Sequence, residues 1–148
     1  MLMCPNRRPD ARAVIRGGEA FAPICGQVLF YQMKSSVLVQ VTVSHLPDTK
    51  AMFYGFHIHK GESCEGAGFS QTGGHYDPEK QPHPLHSGDM PPLLSCGGNA
   101  YLSFRTNRFQ VREIIGRTVV IHGGTDDFRT QPSGDAGEKI ACGVIRRG

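Results

Sequence analysis

The chain has 148 residues, enough for one domain of ordinary size that buries its own core. Charged residues make up 20% and apolar residues 39%, with 19 Gly and 10 Pro, which excludes a disordered polyelectrolyte and points to a loop-rich globular fold. The net charge is only +3, and the basic residues are scattered apart from Arg146 and Arg147, so no nucleic-acid partner is expected.

Residues 1–18 are polar, hold Pro5, Pro9, Gly17 and Gly18, and keep no period, so they read as an irregular arm ahead of a domain over 19–148. The arm has no hydrophobic leader core, so the chain as written reads as cytoplasmic; removal of a leader would place it in the periplasm or outside the cell. Alternation of β-branched and polar residues predicts strands at 26–32 and 36–46, joined by a short turn near Lys34. Val37, Val39, Val41 and Val43 fall on one face of the second. Further strands are expected at 52–59, 100–104, 109–113, 117–122 and 141–145. No run approaches the roughly 18 apolar residues of a membrane span, so no membrane partner is expected. Seven or eight short strands imply a sandwich or barrel.

Two long segments interrupt the strands: 60–98, rich in Gly, Pro and His, and 123–139, rich in Gly and Asp. Loops of that length in a small domain are uncommon and tend to carry function. Five cysteines, Cys4, Cys25, Cys64, Cys96 and Cys142, cannot all pair within one chain.

Six of the seven histidines lie in or beside the long segments: His57, His59, His75, His83, His86 and His122. His57 and His59 are two apart on a predicted strand, so both imidazoles leave the same face and can reach one ion. The stretch from His75 to Asp89 adds His83, His86 and a carboxylate, a set that could close a tetrahedral three-nitrogen, one-oxygen zinc site. His122 ends an apolar strand at Val119, Val120 and Ile121, where a core-edge histidine is the alternative. An all-imidazole set suits copper as well as zinc, and ligand type alone does not decide between them.

The segments Gly-Phe-His-Ile-His (55–59), Gly-Gly-His-Tyr-Asp-Pro (73–78), His-Ser-Gly-Asp (86–89), Gly-Arg-Thr-Val-Val-Ile-His (116–122) and Ala-Cys-Gly-Val-Ile (141–145), in that order, resemble the copper/zinc superoxide dismutase family, its bacterial branch most of all. The resemblance covers roughly 24–145. It implies an all-β, eight-stranded Greek-key β-barrel, an immunoglobulin-like sandwich, with the two long segments as functional loops. It further implies copper on His57, His59, His75 and His122, zinc on His75, His83, His86 and Asp89, and His75 as bridge and proton carrier. Asp126 falls at the family's orienting carboxylate, and Cys64 and Cys142 at its disulfide. The implied reaction converts superoxide to oxygen and hydrogen peroxide. Relatives pair through different surfaces and some stay monomeric, so a homodimer is left open. Two features depart from the pattern: Lys139 stands where the family has an arginine that guides the anion to copper, and the spacing around Cys64 differs from the eukaryotic branch. A noncatalytic zinc-binding domain is the competing reading, with a copper-delivery domain behind it; the four copper-type histidines weigh against the first. The absence of a Cys-x-x-Cys motif weighs against the second.

Overall fold

The computed structural model describes residues 6–148, so Cys4 lies outside the described residues. Nine strands run through it: β1 (Ala11–Gly17), β2 (Cys25–Gln32), β3 (Val37–Ser44), β4 (Phe53–Tyr54), β5 (Phe56–His59), β6 (Leu93–Leu94), β7 (Ala100–Thr106), β8 (Thr118–His122) and β9 (Lys139–Arg147). Seven form one curled antiparallel sheet in the order β5-β8-β9-β1-β2-β3-β7, and β4 pairs with β6 in a small ribbon. The all-β Greek-key barrel class is therefore as expected, built as seven strands plus a ribbon. The valine stripe of β3 faces inward, with Val37, Val39 and Val41 fully buried, each adding about 1.5–3 kcal/mol of burial.

Three expectations need correction. The stretch read as an irregular arm contains β1, whose residues alternate between buried and exposed. Ala11, Ala13 and Ile15 point inward while Arg12, Val14 and Arg16 point out. The period escaped reading because its inward positions begin with two alanines, the weakest apolar signal, and its outward positions include a valine. The expected strand at 109–113 is instead a one-turn helix, α1 (Val111–Ile114), closed by reciprocal bonds between Gln110 and Glu113. Val111 and Ile114, three apart, both face the core, and Phe109 stacks edge-on against Phe30 with centroids 6.3 Å apart.

The expected strand at 52–59 is broken at Gly55 into β4 and β5. There the Gly55 N–H donates to the Gly124 carbonyl, and the Gly55 carbonyl accepts from His122. A Cβ at Gly55 would lie 2.8 Å from the Ala136 methyl and 3.3 Å from the His57 and His122 side chains. Only glycine lets the histidine strands approach so closely. Cys64 and Cys142 form a disulfide that fastens the first long loop to β9, while Cys25 and Cys96 are free and exposed.

Candidate metal centre

β5 is an edge strand of the sheet, and the first long loop covers its open side. Ile58 N–H donates to the Gly88 carbonyl, Tyr76 N–H to Ile58, and Lys60 N–H to Gly74. Phe56 and Ile58 fill the core, so His57 and His59 point the other way, toward the loop. Short bridges then set His57 opposite Asp89 and His59 opposite His75. His122 arrives from β8 at a register irregularity between Ile121 and His122. All six histidines and both Asp89 and Asp126 are buried.

Among the described residues, three groups of nitrogens and oxygens converge within 4.8 Å: His57, His59, His75 and His122; His75, His83, His86 and Asp89; and His57, His83 and Asp126. Proton placement distinguishes them. Carbonyl and carboxylate oxygens only accept, so in each neutral ring the nitrogen that approaches such an oxygen most closely carries the one proton. His59 Nδ1 donates to the Gly73 carbonyl at 2.7 Å and His122 Nδ1 to the Gly137 carbonyl at 3.1 Å. The Nε2 lone pairs of His59 and His122 then face each other at 3.1 Å with no proton between them. Asp126 accepts Nε2–H from His57 and from His83, each at 2.7 Å. The third group is thus a hydrogen-bonded clamp that leaves the Nδ1 lone pairs of His57 and His83 aimed elsewhere.

His57 Nδ1, His75 Nε2 and His83 Nδ1 are buried with no hydrogen-bond partner. His83 Nδ1 lies 3.1 Å from an Asp89 oxygen, lone pair against lone pair, while His75 Nδ1 meets the other Asp89 oxygen at 2.8 Å. Buried electron pairs left facing one another are costly unless a cation lies between them. The donor chemistry therefore fits one metal ion at the all-nitrogen group and a second at the N3O group; His75 presents the Nε2 lone pair as it stands and could offer Nδ1 as well on giving up the proton it donates to Asp89.

The electrostatics favour lone pairs over protons. Burial pushes His59 down to about 2, and His122 to about 3, helped for His122 by the neighbouring His57. His75 is lowered by burial, against the hydrogen bond to Asp89. Burial alone would raise Asp89 and Asp126, but hydrogen bonds from His75 to Asp89, and from His57 and His83 to Asp126, outweigh it and hold both carboxyls below their ordinary value. Neutral imidazoles beside ionised carboxylates are the forms that bind metal.

Lys139 lies beside the all-nitrogen group. Its ammonium donates to Thr72 Oγ1 at 2.7 Å and to the Gly73 carbonyl at 2.9 Å, the same carbonyl that orients His59. Burial lowers its pKa.

The positions expected from the resemblance thus come together. Sequence reasoning missed the groups that aim them: the Gly73 and Gly137 carbonyls, and Gly134. Gly134 has φ +72°, and a Cβ there would lie 2.0 Å from Asp126 Oδ1 and 2.6 Å from His83 Nε2. No side-chain pattern could have flagged two carbonyls; a glycine eight residues past Asp126 was the one visible cue.

Residues 24–145 match the family model for copper/zinc superoxide dismutase. Superoxide dismutase (Cu-Zn) 1 of Aquifex aeolicus is 34% identical over 136 residues, 82% of this chain and 79% of that one. The Deinococcus radiodurans superoxide dismutase (Cu-Zn) is 32% identical over 145 residues, 83% and 78% of the two chains. That of Schizosaccharomyces pombe is 34% identical over 152 residues, 91% and 96%. A barrel of this topology, a histidine centre split by proton placement into two donor sets, and a match over most of the chain make this protein a member of the copper/zinc superoxide dismutase family.

Proposed function

We propose that the chain dismutates superoxide, two superoxide ions and two protons giving oxygen and hydrogen peroxide. Copper would be held by His57, His59, His75 and His122, and zinc by His75, His83, His86 and Asp89. When bound, copper supplies a one-electron couple that takes an electron from one superoxide and returns it to the next, while zinc has no such couple. The observation that carries this reading is His75, whose Nδ1 sits in the N3O group while its buried Nε2 faces the other group without a partner.

The remaining roles belong to the chain's own atoms. His75 Nε2 is the position at which a proton can be held beside the substrate and surrendered to peroxide. Asp126 keeps His57 and His83 in the tautomers that present Nδ1. Lys139, half-buried and tethered at Gly73, offers a fixed positive charge to a small anion. Such a field raises arrival rates by roughly tenfold or more.

The test is metal analysis of protein loaded with both ions, together with a superoxide-removal assay on the parent and on His122→Ala. Two different bound metals, activity in the parent, and loss of copper and activity with zinc kept in the variant are expected. Zinc without copper in the parent would leave the noncatalytic zinc-binding reading in its place.

A further inference from the structure

Two side chains outside all three donor groups grip the backbone that carries the N3O set. Gln131, from the second long loop, donates from Nε2 to the His83 carbonyl at 2.7 Å, and its Oε1 accepts the His83 N–H at 2.9 Å. The pair of bonds closes a ring on the residue's own peptide groups, as a neighbouring strand would. Arg108 approaches from the barrel side. Its Nη1 donates to the Pro84 carbonyl at 2.7 Å and lies 3.3 Å from the His86 carbonyl and 3.5 Å from that of Asp89. The base of this arm is fixed: Arg108 N–H donates to Thr106 Oγ1 at 3.2 Å, and the next residue, Phe109, is anchored in the core against Phe30.

Residues 83–89 form no strand, so their backbone is positioned from outside. One end is stitched to β5 and Tyr76 through Gly88 and to His57 through a bridge at Asp89, and local turns close Pro82–Leu85 and His86–Asp89; Arg108 and Gln131 are the side chains from other parts of the chain that hold the carbonyls of His83, Pro84 and His86. Three of the four N3O groups, His83, His86 and Asp89, stand on backbone that Arg108 or Gln131 touches. A loop without a core of its own must otherwise lose its conformational freedom when the ion binds.

We propose that Arg108 and Gln131 are positioning residues that preset the His83–Asp89 backbone and so determine the zinc affinity of the N3O group. This rests on the reading that this group takes zinc. All three contacts come from Nη1, so arginine suits the task because its rigid guanidinium plane holds that one nitrogen among the carbonyls, whereas lysine's ammonium sits on a more flexible stem. Changing groups that orient ligands typically weakens metal binding about 10- to 100-fold.

The test uses the full chain with zinc, and with cobalt(II) as a spectroscopic probe of the same group. Arg108→Ala, Arg108→Lys, Gln131→Ala and the near-isosteric Gln131→Glu are compared with the parent by chelator competition, by the visible cobalt spectrum, and by melting of the metal-free protein. We expect zinc affinity to fall about 10- to 100-fold in both Ala variants. Arg108→Lys should recover part of the loss, and the cobalt bands should shift while metal-free melting moves little. If Arg108→Ala fails to fold, the Gln131 variants carry the same prediction. Zinc affinity within twofold of the parent with an unchanged cobalt spectrum would overturn the proposal, as would a lowered metal-free melting temperature alone. A parent that binds no zinc, or keeps it in Asp89→Ala, would overturn the zinc reading and this proposal with it.

Discussion

Asp126→Asn should separate the two donor sets. In the parent, Oδ1 accepts both the His83 Nε2–H at 2.7 Å and the Phe128 N–H at 2.8 Å, whereas Oδ2 accepts only the His57 Nε2–H at 2.7 Å. An amide has one oxygen, and it will take the position where two donors converge. Its NH2 then faces His57, which must either oppose N–H with N–H or move its proton to Nδ1. The first leaves buried donors unsatisfied at about 1–3 kcal/mol, and the second removes the lone pair at Nδ1. Either way the His57 set should weaken roughly 10- to 100-fold while the His83 set keeps its geometry. Asp126→Ala, which frees both rings, should weaken both. Copper and zinc contents after dialysis against graded chelator, beside dismutation rates, provide the assay. An Asn variant that loses zinc while keeping copper, or that keeps both at parental affinity, would refute this account of the clamp.

Lys139→Glu should depress dismutation strongly and Lys139→Ala moderately, with Lys139→Arg equal to or above the parent; stopped-flow rates against ionic strength should flatten in the Ala variant. Full activity and parental salt dependence in Lys139→Ala would assign steering elsewhere. Reducing Cys64–Cys142, 78 residues apart, removes about 4.5 kcal/mol in the chain-entropy model; denaturant unfolding with and without reductant measures the difference. The metal-free protein should lose stability in mild acid. His59 and His122 have folded values of about 2 and about 3 against an ordinary 6.5, so between these limits the unfolded chain binds the extra protons and stability falls as pH drops below 6.5. At pH 5 the loss is about 2 kcal/mol for each histidine, and melts at pH 7 and pH 5 would read it. Unchanged stability would mean that these rings are solvated.

The hairpin of β2 and β3 was legible because its valines alternate without interruption, and the metal centre because its histidines crowd two loops. β1 was not legible: alanine contributes too little contrast for a period of two to stand out, and only pairing with β2 and β9 settles its face. α1 was misread because Phe109 and Val111 mimic alternation over three residues, too short a run to separate the two periods. The orienting carbonyls of Gly73 and Gly137 belong to backbone, which carries no residue-type signal at all.

The central place of β1 has a kinetic consequence. Among the described residues the sheet's two parts, β5-β8-β9 bearing His57, His59 and His122, and β1-β2-β3-β7, pair strand to strand only along the ladder of β1 with β9. That ladder joins Arg12 to Arg146 and Ala11 to Arg147, almost the full span of the described chain. As the chain leaves the ribosome, β1, β2 and β3 can pair as soon as they emerge, but β1 keeps an unpaired edge until β9 is made. Such long-range pairing is slow to form. From the synthesis of β1 to that of β9 an open strand edge is therefore exposed, the period in which association with another nascent chain competes with pairing to β9.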